Sequence, residues 1–566
     1  MSLSLRFVLA ASLWAFLPLC ARAATPRDEL LRFVSPDAGF CLVIQDLRSH
    51  AAALRDSPFR EHLLRSPLGG FLRDAQEFIR LSKADEEFKK LLGVDWQGLR
   101  DDVLGDALVF AYRPGPPGKP EQEEGLILVR ARTDKSLANL LDHFHKIGKP
   151  PQTREYKGIQ YFHRAEGKEE SYYYVRGPIL VFSGREDVLR QALDRELQGA
   201  PETEPPITSR LRQLGLDKGL LVLWVNPRAF DAELEAKQKA AGPGREGLVT
   251  FATYWKALES VGVALLLDRD LTLSFAARAR TEALPAAARR FLAEAGRPSD
   301  VWSRVPENAL LAVGGRIDLK ALFEMVDEFL PRETRQGLRG ELNRGLGAAL
   351  GKDFIADVLP QVGPDWGFFL TPPAATDKGW VPLATFAIRV AAGGKGVPFD
   401  QTLFGAVNAF AMLSVVGHNR ANPEQPISLK TAVLGEVVVK YFTGDRAFSP
   451  GMEPAFALAR GYLVLASTPE AVRRFASAVP KPVGDDEFPL LRISFKDWRE
   501  YLAQRRESLL AFVAAKNSLG AEEARAHFDH LLAGLELLDR IELVQRTAPG
   551  QVTLSLRIRT SQPLRK

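Results

Sequence analysis

Apolar positions along this chain follow two rhythms. Short runs that are apolar throughout or alternate with polar residues read as strands: "AGFCLVIQDL" (38–47), "PILVF" (178–182), "YLVLA" (462–466) and "GVALLLDRDLTLSFAARA" (262–279). Other stretches place apolar residues at helical spacing, as in 59–91, and are predicted to be helices. Closely spaced strand pairs such as "YKGIQYFHR" with "ESYYYV" favour antiparallel pairing. Pro- and Gly-rich stretches at 113–125, 199–206 and 391–398 mark loops. Strand pairs interleaved with helices give an α+β fold.

The pattern is written twice. "RGPILVFSGREDVLRQA" (176–192) matches "RGYLVLASTPEAVRRFA" (460–476) without a gap. Each copy reads as a Gly turn, a buried strand and a helix. Ser183 with Glu186, and Ser467 with Glu470, form a Ser-x-x-Glu capping box in which each side chain bonds the other's backbone N–H. Further matches keep the same order: 92–112 with 350–370, and 35–54 with 305–325, where Asp46 and Asp318 are predicted N-caps. We read two tandem homologous copies, 25–285 and 301–566, each a mainly antiparallel sheet with helices covering one face, joined by a connector at 286–300.

Residues 1–23 stand apart. Arg6 precedes an apolar stretch from Phe7 to Leu19, and Ala21-Arg22-Ala23 is a small-x-small cleavage box. A signal peptide cleaved after Ala23 is expected, with the mature chain exported to the periplasm or outside the cell. No other run of 18 apolar residues follows, so no further membrane span is expected. Loss of Arg6 and Arg22 takes the formal charge from +5 to +3, and the basic residues form no stripe of the kind nucleic acids select. Cleavage also removes Cys20. Cys41 is then the sole thiol, and its apolar run makes it buried filler.

The segments "PDAGFCLVIQDL", "LLGVDWQGLRDDVLG" and "YKGIQYF…GPILVFSGREDVLRQAL" resemble an exported bacterial family known only as a domain of unknown function. That resemblance implies export and an α+β repeat unit. It implies no activity, cofactor or site residue.

Candidate chemistry is sparse. His143 and His145 sit two apart on a predicted helix and point away from each other. His527 and His530 share a helix face with Glu523 and are the weak metal candidates, set against a plain solvated face. "GPGREG" (242–247) fits the dinucleotide-binding spacing but follows a charged helical run, where a plain loop explains it. Tyr172, Tyr173 and Tyr174 alternate faces in a strand, which predicts at least one exposed ring. No hydrolase, zinc-protease or thiol-redox motif is present, so no enzyme, cofactor or catalytic residue is predicted. The expected function is that of a non-enzymatic envelope protein that binds or scaffolds an unidentified partner or ligand. The alternatives are a carrier of an apolar ligand such as a lipid, and a hydrolase whose residues converge from distant segments.

Overall fold

The computed structural model describes residues 25–564 apart from 68, 71–84, 86–88, 91–92, 147–149, 168, 200–203, 241–245, 375–378, 394–397, 445, 482, 485 and 518–519. The leader at 1–23, most of the helix predicted within 59–91, and Gly242 and Gly244 lie outside these residues. The fold is α+β, built on one twenty-stranded sheet in which every pairing is antiparallel.

The first half supplies β1 Phe40–Gln45, β2 Ala107–Arg113, β3 Glu124–Arg130, β4 Gln152–Tyr156, β5 Ile159–Glu166, β6 Glu169–Arg176, β7 Ile179–Ser183, β8 Leu221–Val225, β9 Leu258–Leu267 and β10 Leu271–Ala279. The second supplies β11 Leu311–Arg316, β12 Val362–Thr371, β13 Leu383–Val390, β14 Ser428–Leu434, β15 Val437–Thr443, β16 Ala455–Ala459, β17 Tyr462–Ala466, β18 Glu487–Ser494, β19 Leu538–Ala548 and β20 Gln551–Thr560. Among the helices are α1 Pro26–Leu31, α2 Leu47–Arg55, α3 Asp134–Lys146, α4 Glu186–Leu197, α5 Pro206–Leu214, α6 Ala286–Ala295, α7 Leu319–Phe329, α8 Phe399–Ala421 and α9 Pro469–Ser477.

Pairing gives the order β4-β5-β6-β7-β3-β2-β1-β8-β9-β10 for the first half. The second half runs β14-β15-β16-β17-β13-β12-β11-β18-β19-β20, the same order strand for strand. The halves meet where β10 pairs with β20. There residues 271–274 face 558–555 in antiparallel register, and Ser274 Oγ sits 2.9 Å from Ser555 Oγ, 281 positions on; each serine ends a matching segment, "LTLS" (271–274) and "VTLS" (552–555).

One face of the sheet holds the core. Val43, Val109, Leu128, Val181, Val222 and Ala264 pack beneath α1, α4 and α5 in the first half. Ala312, Phe369, Ala387, Val439 and Val464 pack beneath α9 through Val472 and Phe475 in the second. Cys41 is fully buried within the first cluster, and burial pushes its thiol up to about 12, so it is filler. On the opposite face, α3 and α8 lie against the outer strands of their halves. Phe144 and His145 of α3 meet Tyr173, and Phe404 of α8 meets Phe456.

Local chemistry departs from the sequence reading in three places. The capping boxes do not form. Ser183 Oγ instead donates to the Gly125 carbonyl at 2.8 Å, and Ser467 Oγ accepts from Ala384 N at 2.9 Å. Each serine thus ties its strand to the neighbour beside it. Glu186 turns to Arg154, Arg190 and Tyr161, while α9 is capped by Thr468, whose hydroxyl accepts from Ala471 N at 3.2 Å. Asp318 caps α7 through Ala321 N, as predicted, but Asp46 occupies the N-cap of α2 in a left-handed conformation with no side-chain cap bond. The tyrosine run is buried on both sides. Tyr172 and Tyr174 enter the core under α4, and the Tyr173 hydroxyl shares a 2.8 Å hydrogen bond with His145 Nε2 of α3. No ring is exposed, because helices cover both faces of β6.

Candidate apolar binding face

Across the middle of the sheet, the face opposite the core is aliphatic. Register sets this out residue by residue. Ile44, Leu221, Leu265, Leu273, Leu556, Leu543, Leu491, Val313, Phe368, Phe386 and Leu465 stand side by side, one per strand from β1 to β17. At the usual interstrand spacing that row is about 50 Å long. A second row runs beside it through Leu42, Leu223, Val263, Phe275 and Leu554.

These side chains are not in the core. Leu273, Phe275 and Leu465 are 44%, 43% and 41% exposed, and the rest are half-buried. Helix α5, which packs on β9 and β10, joins the cluster of Ala264 and Ala276 and so covers the other face. Contiguous apolar surface of this kind marks interaction or ligand-binding sites. It offers dispersion and area burial only. Covering the exposed part of one Leu or Phe contributes about 1 kcal/mol. The central strands are hydrogen-bonded on both sides, so they present no backbone group to a ligand.

Two polar places lie elsewhere. A cavity of about 580 Å³ on the core side is lined by Arg210, Arg228, Arg278, Arg280, Asp37 and Glu259. Its cations are largely engaged. Arg278 pairs with Glu259 at 3.0 Å and Arg228 with Asp231 at 3.1 Å, while Arg210 and Arg280 donate to the Pro36 and Lys256 carbonyls. Asp365 of β12 is fully buried and accepts from the Tyr462 hydroxyl, which also accepts from Arg389 at 2.8 Å. Burial raises the Asp365 carboxyl above its ordinary 3.8. Its bound proton therefore stabilises the fold fully below that value, and the contribution is lost as pH rises through the raised folded value. Asp365→Asn cannot ionise. Urea midpoints should show the variant gaining on the native chain as pH rises from about 4 to about 7. A difference that stays constant over that range rejects the burial argument.

The histidine candidates do not converge on a metal geometry. His527 Nδ1 meets the Glu523 backbone carbonyl at 2.8 Å, not its carboxylate. His145 bonds Tyr173, and His143 Nε2 meets the Lys90 carbonyl at 3.2 Å, on separate sides of α3. Among the described residues no group of three or more His, Cys, Asp or Glu side chains is placed to hold a metal. The aliphatic face was absent from the sequence reading, although its signal is there. Val261, Val263, Leu265 and Leu267 alternate strictly, and the three-residue turn at 268–270 keeps the parity into Leu271, Leu273 and Phe275. The parallel apolar set on the other face, Ala264 and Ala276, masks that alternation.

No curated protein and no solved structure matches the sequence. A family model does, over residues 87–392, a stretch that contains β2 to β13. The matched stretch crosses from the first half into the second and covers more than half of the chain, and the chain accordingly belongs to the family described as proteins of unknown function, DUF3352.

Proposed function

We propose that this chain is an exported, non-catalytic binding protein of the cell envelope, and that its ligand is apolar: the acyl portion of a lipid, held along the uncovered face of the sheet. The single observation behind this reading is the aliphatic row through Leu265, Leu273 and Leu556, half-buried or exposed at the centre of the sheet. Composition favours acyl chains over a protein partner. Protein interfaces concentrate binding energy in Trp, Tyr and Arg. On β8, β9, β10 and β20 this face carries Leu, Val and Ile with Phe275, Ala277 and no Trp, Tyr or Arg. The same proposal includes two copies of one module. The matched strand order and the similar segments "LTLS" (271–274) and "VTLS" (552–555), which meet at Ser274 and Ser555, support it, and each copy then supplies half of the face.

Native mass spectrometry on protein purified without detergent tests the ligand. Adduct masses that extract into organic solvent as lipid are expected. A lipid-free mass in every preparation, with no uptake of added fatty acid, overturns the reading.

A further inference from the structure

Helix α8 is apolar all round. Phe399, Leu403, Phe404 and Val407 turn inward against Val358, Val390, Leu458 and Leu463. Outward stand Phe410, Met412, Leu413 and Val416, which are 72%, 52%, 71% and 66% exposed. No Asp, Glu, Lys or Arg occurs between Asp400 and Arg420, about 28 Å of helix. The helix is long and apolar enough to cross a bilayer by length and composition, yet only 11% of its apolar window is buried. Its inward side is committed to the sheet, which a helix crossing a bilayer would have to leave. The patch extends beyond the helix. Val433 and Val438 pair across the β14–β15 hairpin and are 70% and 47% exposed.

The fold itself does not require this surface. Helix α3 occupies the same place in the first half, between the third and fourth strands. It exposes Lys135, Asn139, Asp142 and Lys146. The two helices differ in their outward chemistry and agree in their inward packing. A helix with one apolar side on its own protein and a second apolar side uncovered fits the boundary between headgroups and acyl chains. Arg420 at the helix end and Lys440, on the hairpin face of Val433 and Val438, supply cations for lipid phosphates.

We infer that the outward side of α8, with Val433 and Val438, is a membrane-docking surface that inserts shallowly into a lipid bilayer. This inference stands apart from the ligand reading, since a bound acyl chain requires no docking and docking requires no bound acyl chain.

Vesicle flotation of the chain beginning at Ala24 tests it, with neutral phosphatidylcholine vesicles and with vesicles doped with anionic lipid. The native chain should float with both, more strongly with the second. Leu413→Asp with Val416→Asp should lower the partition coefficient roughly tenfold or more. Its circular dichroism should be unchanged, because both side chains point away from the sheet. Val433→Asp, outside the helix, should give a smaller loss. Phe275→Asp should float as the native chain does, which separates docking from ligand binding. A native chain that stays down with both vesicle types overturns the inference. Undiminished flotation of the Leu413/Val416 variant also overturns it. So does a lipid-free dimer that this variant dissolves into monomers, which would make a second copy the occupant.

Discussion

Replacing Leu273 and Phe275 together by aspartate should weaken binding of an acyl ligand roughly a hundredfold. The two side chains are 44% and 43% exposed, near the middle of the aliphatic face. A ligand laid across them gains about 1 kcal/mol from each, and carboxylates there would have to shed water without a partner. The fold should tolerate the change, because neither residue contributes to the core clusters. A control with threonine at both positions keeps strand propensity and removes most of the apolar area. Displacement of an environment-sensitive fluorescent fatty acid measures the effect. Full retention of affinity in a variant with native thermal stability removes this face as the binding site.

Trp224→Ala should cost about 4 kcal/mol or more, the largest loss expected from a single change in the first half. Its ring is 1% exposed inside the main cluster, and its Nε1 donates to Ser260 Oγ at 2.7 Å. Removing it leaves a cavity and a buried hydroxyl without its donor, which adds about 1–3 kcal/mol to the lost packing. Arg210, 5.0 Å above the ring, loses its platform as well. Trp224→Phe retains most of the volume and should lose about half as much. Urea denaturation at constant m-value separates the two. Equal losses would mean that the ring volume Phe retains contributes nothing and that the hydrogen bond and the indole's extra volume carry the whole cost.

Strand and turn chemistry was legible in the sequence because it is local. Gly177 and Gly461 mark turns, and both adopt positive φ at 57° and 80°. Asp95 and Asp353 start matched helical turns by accepting from Gly98 N and from Ala356 N. The capping boxes failed for a tertiary reason. A serine at a strand end faces the next strand before it faces its own helix, and Gly125 and Ala384 reach it first. The tyrosine run was misjudged because alternation tells which side a ring takes, not whether a helix covers that side. The candidate face depends on register over strands drawn from the whole chain, from Leu42 to Ile558. No window of sequence contains that register.

The pairing of β10 with β20 also governs how the molecule meets its own copies. It consumes the inner rim of each half, so the ribbon ends only at β4 and β14. Both terminal strands carry polar, exposed residues: Gln152, Thr153 and Glu155 on one, Ser428, Lys430 and Thr431 on the other. Such rims discourage one ribbon from growing onto the next. Separating the halves, by expressing each alone, would uncover two aliphatic rims that lack this protection, and the fragments would then be driven to stack through them into aggregates.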